Sequence, residues 1–241
     1  MLLHSNRLFV IIPAAGLGTR FSDNGEAVKQ HVSLLGQTIL ERSVAPFLNH
    51  PGVHKISIVL SREDREIDQL RGRYQGTICE VVPLGGSSRA STVLNALTQL
   101  EEEVSDDDWI LVHDAARPLI SRDLIDRLID VVKEADVGGL LACQASDTVK
   151  LSTSHSRVTK TLDRENLWLA QTPQMFRYRI LCDALGSSVG DHSITDESSA
   201  VEARGFSPLL VASDATNFKI TQPSDLEMAR VILKQREGEA N

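Results

Sequence analysis

From Leu8 to Cys143 the chain alternates short apolar runs with helix-like stretches, and few folds accommodate that rhythm. Leu8–Ile12, Lys55–Leu60, Ile78–Val82, Trp109–His113 and Gly138–Cys143 read as strands. Thr38–Leu48, Glu63–Arg73, Ala90–Glu102 and a stretch from Ser121 to about Ala135 read as helices. Pro46 predicts a kink near the end of the first. Ser121 predicts an N-cap for the last, whose Leu124, Ile125, Leu128, Ile129 and Val132 recur at helical spacing. Strands of Val, Ile and Leu separated by helices imply an α/β fold: a mostly parallel sheet with helices on both faces. A length of 241 residues allows one large domain of this kind or two small ones.

Composition narrows the partners. A net charge of -8 argues against a nucleic-acid surface. No apolar run approaches the ~18 residues of a membrane span, and the amino terminus lacks a signal-peptide layout, so no membrane partner is expected. Cys79, Cys143 and Cys182 are far apart and odd in number. They predict reduced, buried thiols and a cytoplasmic protein rather than a disulfide framework or zinc site.

Residues 144–167 break the alternation. Two β-branched runs flank a polar centre, Ser152–Ser156, which predicts a hairpin instead of another strand–helix unit. Such an insertion has little room in a layered core. It is either a plain surface hairpin or a projecting arm that serves a partner chain.

Ligands of open α/β sheets bind beyond the carboxyl ends of the strands. The stretch IIPAAGLGTRF, residues 11–21, lies at such an end. Gly16 and Gly18 let backbone amides approach a phosphate. The GxxxxGK[ST] pattern is missing, and Phe21 occupies the third glycine position of GxGxxG, which disfavours a dinucleotide site. Arg20 suits phosphates that the amides hold, and Lys29 adds a second cation unless it is an ordinary surface lysine. In VHDAARP, residues 112–118, Asp114 follows a strand. A carboxylate beside a polyphosphate calls for an intervening cation, and Mg²⁺ takes one or two carboxylates plus phosphate oxygens. Arg117 binds another anion, or simply pairs with Asp114, which would then cap the next segment. His113 reads as a packing residue. In GGSSRAST, residues 85–92, Ser87, Ser88 and Thr92 either contact a base or ribose or form an ordinary capped helix start. Lys219, in NFKITQPSDLEMA, reads as lying in a short strand, as an edge charge or a phosphate ligand. No GxSxG, HExxH or Cys–base pair supplies a nucleophile. Glycines, cations and one aspartate suit chemistry on phosphorus by positioning and charge neutralisation.

Taken in order, PAAGLGTR, Lys29, HDAARP, DTVK, LDRENLW, AQTPQMF, TDESSAVE and NFKIT resemble the 2-C-methyl-D-erythritol 4-phosphate cytidylyltransferase family from residue 8 to about 232. The resemblance implies a single Rossmann-like nucleotidyltransferase domain over 1–241, with 144–167 as a β-arm for homodimerisation. It implies transfer of CMP from CTP to the sugar-alcohol phosphate with Mg²⁺, in the non-mevalonate isoprenoid pathway. Ala14, Ala15, Gly16, Leu17, Gly18, Thr19, Gly86, Ser87 and Thr92 match CTP-binding positions. Arg20 and Lys29 match transition-state cations. Asp114 matches the acid near metal and both substrates. Arg117, Thr148, Arg164 and Thr195 match contacts to methylerythritol phosphate, and Arg164 with Lys219 the pair that positions its attacking phosphate. Thr195 reads equally as the cap of the helix in DESSAVEA. The chain departs from the family at Val28, where proline is usual, at Ser87, where an acid is usual, and in a longer loop before Lys29. A ribitol 5-phosphate cytidylyltransferase and a non-catalytic nucleotide-binding protein are the alternatives.

Overall fold

The computed structural model describes residues 6–16, 28–191 and 193–239. Apart from a small antiparallel ribbon of β2 (Ser33–Leu34) and β3 (Gln37–Thr38), seven strands form one central sheet. β1 (Leu8–Pro13) lies between β4 (Val53–Val59) and β6 (Trp109–Val112), parallel to both, and β5 (Cys79–Val82) extends that edge in parallel. On the other side come β10 (Trp168–Arg177), β7 (Gly138–Gln144) and β11 (Leu209–Ala212). β10 alone runs against its neighbours, while β11 is parallel to β7. The reversal has a local cause. β7 connects to β10 through a hairpin, which turns the chain around, whereas a helical crossover would have preserved direction.

Successive side chains of β1 point to opposite faces. Leu8, Val10 and Ile12 pack with α1 (Ile39–Leu48), α2 (Ile67–Tyr74) and α4 (Arg122–Val132). Phe9 and Ile11 pack with α3 (Arg89–Gln99), α5 (Tyr178–Ser187) and α6 (Glu197–Ala203). Both faces are therefore covered, as the apolar strands require. A third cluster joins Leu226, Ala229 and Leu233 of α7 (Pro223–Glu239) to Leu34, Ile39, Leu119 and Ile220.

Ser121 caps α4 as its sequence predicts, with Oγ accepting from Leu124 N at 3.3 Å. Thr38 proves to be a cap as well: it and Glu41 form a reciprocal capping box at the start of α1. α1 runs on through Pro46 to Leu48. α2 begins at Ile67 instead of Glu63, because side chains compete for the preceding amides. Ser61 Oγ accepts from Glu63 N at 3.4 Å and Asp64 Oδ1 from Glu66 N at 2.9 Å.

Residues 144–167 do form a hairpin. β8 (Lys150–Ser152) and β9 (Val158–Thr161) pair antiparallel in a sheet of their own, closed at the base by Ala145 N to Leu167 O at 2.9 Å. Its apolar Leu151 and Val158 are 52% and 64% exposed. Of the three free cysteines only Cys79 is buried. Cys143 is half-buried because it faces Leu169 in the ladder, near the exposed start of β10, and Cys182 is half-buried on α5. Among the described residues no helix is long and apolar enough to cross a membrane.

Candidate active site

The carboxyl ends of β1 and β6 and the loop after β5 converge on a cavity of about 600 Å³. Pro13 to Gly16, Lys29, Gln30, Gly86 to Arg89, Thr92, Asp114 to Ala116 and Lys219 line it. This is the position expected for a ligand of such a sheet. Residues from four separate motifs thus meet here, and each is held by a bond that explains its place.

The first turn leaves β1 with Ala14 N donating to Val59 O at 2.8 Å. Buried Gln30 donates to Ala14 O at 2.7 Å, pinning the following segment against the turn. Lys29, next to that anchor, donates through Nζ to Ile220 O at 2.9 Å. Leu17, Gly18, Thr19 and Arg20 lie outside the described residues. Gly85 N donates to Leu60 O at 2.8 Å, bringing its loop so close to the first turn that a Cβ at Gly85 would stand 2.5 Å from Ala15 Cβ. Only glycine fits there. Thr92 is buried, and its hydroxyl accepts from Gly86 N at 3.0 Å while donating to Ser88 O at 2.8 Å. It shapes the loop from inside. Ser88 is the N-cap of α3, in a box with Ser91, and Ser87 stays exposed at the cavity. The GGSSRAST segment is therefore both a capped helix start and a cavity wall.

Asp114 is the centre of charge. Arg89 Nε donates to its Oδ1 at 2.9 Å, Lys219 Nζ lies 2.9 Å from its Oδ2, and Arg117 Nε lies 3.6 Å from the same oxygen. Burial alone would raise the pKa of this carboxyl, but Arg89, Lys219 and Arg117 outweigh burial and hold it well below the usual carboxylate range. Arg89 is itself gripped on its far side by Glu197, fully buried, through a two-pronged bond of 2.6 and 2.9 Å. Burial works against the charged guanidinium, yet Glu197 and Asp114 together keep its pKa above the ordinary value. Lys219 is not in a strand. It sits in an irregular segment tied to the core by Ile220 N to Ala116 O at 2.8 Å, a loop-to-loop bond and not a strand ladder. Arg117 leaves the cavity wall and donates to Asn217 O at 2.7 Å. The pairing of Arg117 with Asp114 was one of two sequence expectations and is present; the carboxylate itself is taken up by cations, not by a cap.

Thr148, Arg164 and Thr195 are not in the cavity wall. Thr148 and Arg164 belong to the exposed 144–167 segment, where Arg164 Nη1 donates to Ser146 O. Thr195 does not cap α6; Asp196 does, accepting from Ser199 N at 2.9 Å. Among the described residues no three His, Cys, Asp or Glu side chains gather to hold a metal ion. Asp114 lines the cavity with Oδ1 bonded to Arg89 and Oδ2 to Lys219, so a magnesium ion whose other ligands are phosphate oxygens and water would take an Asp114 oxygen in exchange for one of those cations.

The residue pattern of the 2-C-methyl-D-erythritol 4-phosphate cytidylyltransferase family matches residues 8–235. This chain belongs to that family. A relative of that name from Nitrosospira multiformis is 44% identical over 94% of this chain and 97% of its own. Another from Pseudomonas fluorescens is 45% identical over 92% and 94%. A solved 4-diphosphocytidyl-2C-methyl-D-erythritol synthase superposes with a TM-score of 0.82 at 37% identity, covering 95% of this chain and 98% of that one. The Francisella tularensis 2-C-methyl-D-erythritol 4-phosphate cytidylyltransferase gives 0.79 at 37% identity, over 93% and 99%.

Within this family member, three further residues shape the site without having been singled out in the sequence: Arg89, Glu197 and Thr172. Arg89 and Glu197 each occupy the first position of a helix, where a charged residue looks like an ordinary helix-end or surface group. Thr172 lies on β10, and its hydroxyl accepts from Asp114 N at 3.0 Å and contacts His113 Nδ1 at 3.1 Å. His113 Nε2 lies 3.2 Å from Arg117 O, so the neutral tautomer with a proton on Nε2 satisfies every partner. His113 is fully buried, as its packing role predicts.

Burial pushes the His113 pKa down from 6.5 to about 4. The unfolded chain then binds a proton that the folded one refuses. Stability is expected to fall as pH drops from about 6.5 to about 4, by ~3 kcal/mol in all. His113→Gln should flatten that part of a urea-denaturation profile across pH. An equal slope in the variant overturns the assignment.

Proposed function

We propose that this cleft transfers the cytidylyl group of CTP to the phosphate of 2-C-methyl-D-erythritol 4-phosphate and releases pyrophosphate, in the non-mevalonate route to isoprenoids. The observation that carries the reading is one buried acid, Asp114, ringed by Arg89, Arg117 and Lys219 beside the first turn of a member of this family. Among the described lining residues such a site offers charge and position but no hydroxyl or thiol activated by a base. The reaction needs none. The second pKa of a phosphate monoester lies near ~6, so the substrate is largely a dianion at neutral pH. One of its oxygens attacks the α-phosphorus of CTP. The bond from that phosphorus to the bridging oxygen breaks, and pyrophosphate leaves with the electron pair.

The barrier is repulsion between a dianion and a polyanion. Arg20 and Lys29 neutralise charge on the triphosphate and the departing pyrophosphate. Lys219, together with Arg164, holds the attacking phosphate in line. Ala14, Ala15, Gly16, Leu17, Gly18, Thr19, Gly86, Ser87 and Thr92 bind CTP. The shared cavity of Ala14 to Gly16 with Gly86, Ser87 and Thr92 supports this. Asp114, Arg117, Thr148 and Thr195 serve the methylerythritol phosphate. Mg²⁺, when bound, supplies further neutralisation of the phosphates, with Asp114 as its protein donor.

The whole chain acts as one nucleotidyltransferase domain, and 144–167 acts as a β-arm of a homodimer. Exposed Leu151 and Val158 on the hairpin, with Leu169 near its base, support an apolar contact between copies. Free thiols suit a cytoplasmic enzyme.

With Mg²⁺ present, pyrophosphate release from CTP is expected with methylerythritol phosphate and not without it. A coupled pyrophosphate assay decides. Equal or faster turnover with ribitol 5-phosphate overturns the substrate, and nucleotide binding without release leaves only a binding protein.

A further inference from the structure

Two lysines from opposite ends of the chain meet one short segment. Lys219 opens it and reaches Asp114 Oδ2 at 2.9 Å. The next residue, Ile220, accepts Lys29 Nζ on its carbonyl oxygen at 2.9 Å. The conformation of residues 219–222 therefore sets where both ammonium groups stand.

One carboxylate clamps the backbone amides of that segment. Asp225 Oδ2 accepts from Thr221 N at 2.7 Å, Thr221 Oγ1 at 2.9 Å and Gln222 N at 3.0 Å. Asp225 sits in the first turn of α7 and reaches backward from it, while its own N–H donates to Gln222 O at 3.1 Å. α7 in turn is locked to the core by Leu226, Ala229 and Leu233. The rigid helix thus transmits its position through one carboxylate to the irregular segment. Ile220 is fully buried and fixes the segment from the other side.

We propose that Asp225 is a positioning residue for catalysis, holding Lys29 and Lys219 in register through residues 219–222. It does not line the cavity. Its carboxylate also faces Lys29 electrostatically, and together with the amide bonds this favours its ionised form; burial opposes that but is outweighed. This inference rests on the proposed reaction. If the lysines act on phosphates as proposed, a shift of about 1 Å at both is enough for a loss on the order of 10²-fold.

Steady-state pyrophosphate release by the full chain tests it, with wild-type turnover as the control for the reaction. An inactive wild type refutes the reaction reading, not the clamp. With an active wild type, Asp225→Ala is expected to lower kcat about 10²-fold and to raise KM for methylerythritol phosphate. KM for CTP should rise as well, because Lys29 is proposed to act on its triphosphate. Asp225→Asn keeps an acceptor oxygen for the two amides and should lose only about tenfold. A double-mutant cycle separates positioning from mere support. In a Lys29→Ala background, Asp225→Ala should cost clearly less than it does alone. A kcat within threefold of wild type for Asp225→Ala overturns the proposal, as do losses that multiply in full. Should Asp225→Ala not fold, Asp225→Asn runs the same cycle, and a kcat within threefold of wild type then overturns it.

Discussion

Mixed dimers built from one Lys29→Ala chain and one Arg164→Ala chain are expected to show about half of wild-type activity, although either variant alone is nearly inactive. Each single loss should lower kcat by roughly 10²- to 10³-fold, the effect of removing one preorganised transition-state donor. Recovery follows from geometry. Lys29 lines the cavity, but Arg164 and Thr148 do not. They belong to a hairpin whose strands, among the described residues, pair with each other and not with the central sheet. A contact around a two-fold axis is reciprocal, so a hairpin that leaves its own cavity can complete its partner's. In the mixed dimer, action on the partner leaves one site with both cations and one with neither. Action within the same chain leaves every site short of one. Mass spectrometry confirms that mixed dimers have formed, and pyrophosphate release then reads the result. No recovery sinks the trans arrangement.

Arg89→Leu is expected to cost the fold ~3–5 kcal/mol, the size seen when one partner of a buried ion pair is removed. Glu197 is fully buried and Asp114 nearly so, and Arg89 is the cation they share. Without it Glu197 loses its two-pronged partner, while Asp114 still has Lys219 and Arg117. For a domain of this length the loss corresponds to a fall in Tm of roughly 6–20 °C. Replacing both partners, Arg89→Leu with Glu197→Leu, should recover most of that stability, since two apolar side chains leave no stranded charge. Activity should stay low in the double variant, because Asp114 Oδ1 has then lost its fixed partner. Thermal denaturation followed by circular dichroism checks both. A Tm within 2 °C of wild type for Arg89→Leu would falsify the account of a shared buried cation.

The sequence alone determined the layers of this protein. Runs such as Leu8–Ile12 and Trp109–His113 are continuous and apolar because both sheet faces are covered, and that signature is local. The interruption at 144–167 was equally visible, since a hairpin has its own spacing. Gly86, Asp114 and Lys219 could be singled out as glycine or charge beside predicted strands and helix starts, and Ala14 through the family resemblance. Tertiary structure decided which of them meet. Asp114 meets Arg117 three residues on in its own loop, but Arg89 at the start of α3 and Lys219 in the segment before α7 reach it only through the folding of remote parts of the chain. Arg89 and Glu197 were indistinguishable from helix-end charges until burial made them partners. The reversed direction of β10 and the irregular backbone at Lys219 were likewise settled by what lay alongside them. Pairing and burial are properties of neighbours, and a linear chain does not say which neighbours it will have.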